Sequence, residues 1–298
     1  MPTILDTKFM EKTTTDKNGF TDYPVSEYSL LGDIEIKRRK GVVDTKQDKW
    51  NAISYLVDGK EIMFIHENAN TKWRIDTLFE KEPHTLAWLN RFEENETFID
   101  IGANIGLYSI WAAAMRGANV YAFEPDGQNF SLLNKNIFIN NLYLNKKVLA
   151  YCCAISDSIH FSELFSTDCS AGTSYNDFDE RLPGRVTKFV QGCISVSIDE
   201  LVSTGAIPPP DHIKIDVDGY EHLAVLGCRE VIESGSLKSI LIEIDSNDEN
   251  HLPIIDYMLE NGYTYSQEQV EGKRSMQTAP SVAGTGNYIF YKDEKYKV

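Results

Sequence analysis

The chain has 298 residues, 42% of them hydrophobic, which suits one large α/β domain or one domain with an appendage. Forty-five acidic residues against 29 basic ones give a formal charge of −16, and so acidic a surface argues against a nucleic-acid substrate. Five cysteines, an odd count without CxxC spacing, argue against a disulfide framework or zinc site and for a reducing interior. No signal peptide is visible, and no run nears the ~18 apolar residues of a membrane span, so a soluble, cytoplasmic protein is expected.

Residues 1–80 show weak periodicity and are read as an appendage packed on the main domain, with the first twenty or so poorly ordered. The basic run KRRK, Lys37 to Lys40, reads as a solvated turn. WNAISYLVDGKEIMFIHE predicts two strands turning at Asp58-Gly59. Pro83 opens a helix in EPHTLAWLNRF. From Thr97 strands and helices alternate: TFIDI, then a helix to Gly117, NVYAFE, the helix GQNFSLLNKNIFINN, and KKVLAYCCAI as a third strand. Such alternation implies a parallel sheet covered on both faces. Ser166 to Arg185 is polar and breaks the pattern, the mark of a functional lid or a disordered segment. VTKFVQGCISVSI predicts a strand, IDEL a short helix, and IKID a strand ending at Asp216 before a helix from about Tyr220. LKSILIEID and HLPIIDYMLENG continue the alternation, and YTYSQEQV and GNYIFYK should pair as a terminal hairpin with no helix between them.

Ligands of a parallel sheet bind beyond the carboxyl ends of its strands. DIGANIG occupies such an end: Gly102 permits a sharp turn, Gly106 opens the helix, and Asp100 can accept hydrogen bonds. The dinucleotide pattern G-x-G-x-x-G fails at Asn104 and Leu107, which disfavours a pyrophosphate. Glu124 ends the next strand, where an acid can accept both hydroxyls of a ribose. Ser156 and Asp157, after the third strand, are placed to reach an adenine, or to form a turn. Asp216, Asp218 and Glu221 crowd three carboxylates behind an apolar strand, which should raise a pKa or require a cation. The spacing fails the calcium-loop pattern, and no metal is expected.

FIDIGANIG, VYAFEPDGQNFSLLNKNIFINN, AISD, VSIDEL, IKIDVDGYEHLAVLG and ILIEID, in this order, resemble the FkbM family of S-adenosylmethionine-dependent methyltransferases. The resemblance covers roughly Glu82 to Asp245 and leaves residues 1 to about 80 unexplained. It implies a class I methyltransferase fold over residues 81–298, a Rossmann-like, seven-stranded, mostly parallel sheet with an antiparallel C-terminal hairpin. It implies S-adenosylmethionine as cofactor and transfer to an oxygen, often on a sugar, glycolipid or secondary metabolite. Asp100, Gly102, Ala103, Asn104 and Gly106 would line the methionine side, Glu124 and Pro125 the ribose, and Ser156 and Asp157 the adenine. Asp216 would lie between cofactor and acceptor; the family commonly has glutamate where this chain has Asp218, an acid kept but shortened.

An alcohol acceptor benefits from a base. The candidates are Asp216, Asp218, Glu221 and His222, with Asp216 for positioning and Glu221 or Asp218 as base. Glu243 points into the same crevice if the sheet order holds, and His66, His84 and His251 read as structural. The Ser166 loop is the candidate acceptor lid, with Tyr175 and Phe178 to stack on a sugar. The partners expected are a small-molecule or glycan acceptor and, through an edge strand of the appendage, a second copy of the chain. A nicotinamide oxidoreductase and a non-catalytic binding domain are the alternatives.

Overall fold

A computed structural model describes residues 15–23, 30–31, 34–45, 48–182, 184–274 and 284–298. The expected disorder of the first residues falls, for residues 1–14, outside the described residues; residues 16–20 form a hydrogen-bonded turn with Phe20 buried.

The appendage is an antiparallel meander of β1 (Thr21–Asp22), β2 (Ile36–Asp44), β3 (Lys49–Val57) and β4 (Lys60–Ile65), followed by α1 (Ala69–Asp76). Asp58 and Gly59 make the turn at φ 46° and 81°, the left-handed pair that a two-residue hairpin requires. The KRRK run is not a turn. Lys37 to Lys40 lie inside β2 and pair with Leu56 to Ile53 of β3. Strand pairing holds this polar backbone because the side chains find acids, Arg38 reaching Asp76 and Arg39 reaching Glu61.

Next come α2 (Pro83–Leu89), β5 (Thr97–Ile101), α3 (Leu107–Arg116), β6 (Asn119–Phe123), α4 (Gly127–Ile139) and β7 (Val148–Tyr151), as the alternation predicts. The third strand is shorter than expected. After Cys152 and Cys153 the chain leaves the central sheet, and β8 (Ala154–Ile155) pairs in a second one. That sheet also holds β9 (His160–Ser166), β10 (Asp177–Phe178) and β11 (Phe189–Val196), in the order β10-β9-β11-β8. Strand β9 lacks a clean apolar pattern because its outer residues, Phe161 included, face solvent.

The chain continues through α5 (Ile198–Ser203), β12 (His212–Ile215), α6 (Glu221–Leu226), α7 (Arg229–Glu233), β13 (Ser239–Asp245), α8 (Leu252–Glu260), β14 (Thr264–Tyr265), α9 (Gln267–Arg274) and β15 (Thr285–Tyr291). The central sheet runs β14-β15-β13-β12-β5-β6-β7, with β15 antiparallel to both neighbours. This is the seven-stranded class I methyltransferase arrangement. The last two strands pair as expected, but their connection contains α9, so they are not joined by a plain loop.

Each face of the sheet has its own core. Ile99, Ile101, Ile213, Ile215, Ile240 and Ile242 pack beneath the later helices. On the other face, Trp88, Trp111 and Val120 share one cluster with Ile53, Tyr55 and Phe64 of the meander. The meander is thus fastened to the sheet by common apolar packing, the dominant favourable contribution to folding. Among the described residues, no helix is long and apolar enough to cross a membrane.

Candidate active site

A cavity of about 830 Å³ lies at the carboxyl ends of β5, β6, β12 and β13. Its walls draw on the glycine turn, the second sheet, the loop before β11, and α1 of the appendage.

The glycine turn is the floor. Gly102 has φ 78°, and a Cβ there would stand 2.0 Å from the Asp216 carbonyl oxygen, so only glycine lets β5 and β12 end side by side. The amides of Gly102 and Ala103 both donate to the Phe123 carbonyl, at 2.9 and 3.0 Å. Gly106, at φ 86°, faces Leu133, whose Cδ1 would come 2.3 Å from an added Cβ. Gly106 therefore packs the helix and does not line the cavity. Asp100 is also behind the floor: it is 1% exposed, its Oδ2 accepts from the Ser109 hydroxyl at 2.5 Å, and its Oδ1 is buried without a partner. Burial raises its pKa.

Glu124 is buried at the end of β6 and lines the cavity. Its Oε2 accepts from the Asn104 amide at 2.7 Å; its Oε1 accepts from the Asp126 amide at 3.0 Å and the Asn129 side chain at 3.2 Å. A carboxylate offers about four acceptor positions, so roughly one remains, on Oε2. Burial lifts the pKa to about 7 against the lowering effect of these donors. Pro125 and Ser156 line the cavity too, beside apolar Phe123, Ile155 and Leu164. Asp157 does not; it is exposed and accepts from the Ser158 hydroxyl at 3.0 Å, within its own turn.

The acids divide by environment. Burial opposes ionisation of Asp216, but the Lys214 ammonium, 2.8 Å from its Oδ2, outweighs this and lowers the pKa. Asp218 is pushed the other way, to about 6, by burial and then by the charge of Asp216. Its Oδ2 accepts from the Tyr175 amide at 2.8 Å. Glu243 does reach the crevice: oxygens of Asp216, Asp218 and Glu243 lie within 4.8 Å of one another. Glu221, though on the wall, is 1% exposed and turned into its own loop, accepting from the amides of Val217 at 2.9 Å and Gly219 at 2.8 Å. His222 does not line the cavity; burial lowers its pKa, and its Nδ1 is buried without a partner. Sequence reasoning left His251 without a partner, yet it lines the cavity with Nε2 3.1 Å from Glu221 Oε2.

The loop before β11 is tied down. Thr173 O accepts from Asn104 Nδ2 at 2.8 Å and Asn129 Nδ2 at 3.2 Å, while Gly172 N donates to Asn129 Oδ1 at 2.6 Å. From the appendage, Asn68 reaches Ala171 O at 2.8 Å and Arg74 Nε reaches Gly172 O at 2.8 Å. Tyr175 and Phe178 both line the cavity, Tyr175 half exposed and Phe178 buried in β10 against His160. Asn129, Thr173, Lys214 and α1 were missed from sequence. Lys214 alone gave a signal, a lysine within an apolar strand that ends in acids.

A sheet of this order, with a glycine turn and a buried acid facing one cavity, has the class I methyltransferase fold. The chain belongs to the FkbM methyltransferase family, whose domain model, Methyltransferase FkbM domain, matches residues 100–265. The chain is 26% identical over 188 residues to hexuronic acid methyltransferase AglP of Haloferax volcanii, a match covering 63% of this chain and 72% of that protein. Among solved structures, it is similar to magnesium protoporphyrin IX methyltransferase (ChlM) from Synechocystis PCC 6803 with bound SAM, at a TM-score of 0.42 and 12% identity over 76% of this chain and 86% of that one. Precorrin-6y C5,15-methyltransferase from Geobacter metallireducens GS-15 gives a TM-score of 0.38 and 15% identity over 70% and 87%. The family sets aside the nicotinamide alternative.

Proposed function

We propose that this methyltransferase uses S-adenosylmethionine to methylate a hydroxyl of a glycan. The observation that carries the reading is a pair of cavity acids with divergent environments, Asp216 held ionised by Lys214 and Asp218 poised at about 6. The glycan acceptor is supported by the hexuronic acid methyltransferase relative.

The residues suit the cofactor. Gly102, Ala103 and Asn104 form a floor on which backbone can approach a ligand closely. The free acceptor position on Glu124 Oε2 is assigned to one ribose hydroxyl, and the apolar wall at Ile155 and Leu164 with Ser156 to the adenine. S-Adenosylmethionine, when bound, supplies an electrophilic methyl group. Asp216, held ionised by Lys214, would offer that positively charged centre a fixed anion. Asp218 accepts the proton of the acceptor hydroxyl as the oxygen attacks, and Glu221 with His251 positions the loop that carries it. Residues 1–80 are assigned to an appendage that completes the acceptor side, since Trp73 and Arg74 are on the wall.

Calorimetric titration with S-adenosylhomocysteine and a methyl-transfer assay on oligosaccharides test the reading together. Asp218→Asn should lower kcat by about 10²-fold, the usual worth of a positioned base, with cofactor affinity kept. Unchanged turnover would remove Asp218 as base, and a protein that binds no S-adenosylhomocysteine would sink the whole assignment.

A further inference from the structure

Among the described residues, four lysines and arginines lie on the cavity wall, and three have carboxylate partners. Lys81 pairs with Glu82 at 2.9 Å, Lys214 with Asp216 at 2.8 Å and Arg185 with Asp177 at 2.7 Å. Among the described residues, Arg74 has no carboxylate within ion-pair distance. In a chain of net charge −16, a cation left without an acid beside so many acids is out of balance. Its guanidinium is also oriented, because Nε donates to Gly172 O at 2.8 Å. That bond fixes the plane and leaves the terminal nitrogens, the fork that suits a carboxylate.

Its neighbour is equally informative. Trp73, on the same turn of α1, is 49% exposed yet lines the same cavity, and Tyr175 of the lid, 50% exposed, lines it as well. An indole held open at the cavity offers an apolar face to a flat ligand. Lys81 and Tyr108 feel the charges of both Arg74 and Asp216, which puts Arg74 in the electrostatic neighbourhood of the acceptor centre. Cations are absent from the main influences on Glu124.

We infer that Trp73 and Arg74 form the acceptor subsite, and that it takes a sugar acid: Trp73 stacks on the ring and Arg74 pairs with the carboxylate of a uronic acid residue. This rests on the glycan reading above and names the sugar class. A site built to pair a charge also rejects the neutral analogue, whose binding leaves the charge unpaired.

The test is calorimetric binding of methyl glucuronoside and methyl glucoside to the full-length protein loaded with S-adenosylhomocysteine. The wild type should prefer the glucuronoside. Arg74→Gln should weaken glucuronoside binding by about tenfold, the worth of a charge-assisted hydrogen bond, and should not weaken the glucoside, which no longer leaves a charge unpaired. Arg74→Lys should fall between, and Trp73→Ala should weaken both sugars. S-Adenosylhomocysteine affinity should stay within twofold in each variant, which also shows that they fold. Equal binding of the two sugars by the wild type overturns the inference while leaving a glycan acceptor standing. Loss of cofactor affinity in Arg74→Gln and Arg74→Lys overturns it by moving the carboxylate to the cofactor. Absence of any sugar binding, with the cofactor bound, overturns the glycan reading itself.

Discussion

Lys214 Nζ sits 2.8 Å from Asp216 Oδ2, and the lysine is 1% exposed at the end of β12. Lys214→Met should strand a carboxylate against the sheet and cost about 3 kcal/mol in urea denaturation, the low end for a broken buried pair because Asp216 keeps 23% exposure. The double variant with Asp216→Asn should recover most of that loss. If the double variant is no more stable than the single, the pair is not what sustains the strand end.

As the proposed base, Asp218, pushed up to about 6, should set a pH limb. A base must be ionised to accept a proton, so kcat/KM should fall as pH drops through about 6, and Asp218→Asn should lack that limb. For stability the sign is reversed. The folded pKa stands above the ordinary 3.8, so ionising Asp218 between these values works against the fold. Asp218→Asn should therefore gain stability relative to wild type above pH 6, measured by denaturation at pH 5 and pH 7.5.

With Glu124 pushed up to about 7, its proposed ribose contact predicts pH-dependent cofactor binding. Between pH 8 and pH 6 its ionised fraction falls about tenfold, and S-adenosylhomocysteine affinity should fall by a similar factor. Glu124→Gln should bind weakly at both values, since an amide nitrogen would face the Asn104 or Asp126 amide. Asp218→Asn should retain the Glu124 dependence, which separates the two acids.

Two glycines at positive φ form a matched comparison. At Gly59 an added Cβ meets nothing within 4 Å, so Gly59→Ala should cost only the backbone penalty of about 1–2 kcal/mol. At Gly102 the obstacle is backbone, and Gly102→Ala should abolish cofactor binding. A Gly102→Ala protein with native affinity would mean that β5 and β12 can separate freely.

The loop before β11 does not separate from the floor. Deleting residues 168–180 removes Thr173, the acceptor for Asn104 and Asn129, so cofactor affinity should fall together with acceptor affinity. Tyr175→Ala leaves those bonds in place and should raise only the acceptor KM. Steady-state kinetics alongside cofactor titration distinguish the two outcomes.

The sequence by itself determined the alternation from Thr97, the glycine turn, the acid after β6 and the crowded acids after β12, because each is written in adjacent residues and obeys local rules of turn and strand. It set Asp216 apart for positioning but could not choose between Glu221 and Asp218 as base, nor see what makes Asp216 and Asp218 differ: Lys214 in β12 beside Asp216, and the Tyr175 amide, from a distant loop, on Asp218. Nor could it see that KRRK is a strand, or that Glu221 holds its own turn, since pairing partners and buried amides belong to the fold. Only the tertiary structure brought α1 to the cavity, where Arg74 meets Gly172 across 98 residues of chain. Charge and burial act through space, and what a titratable or charged side chain can do was decided there.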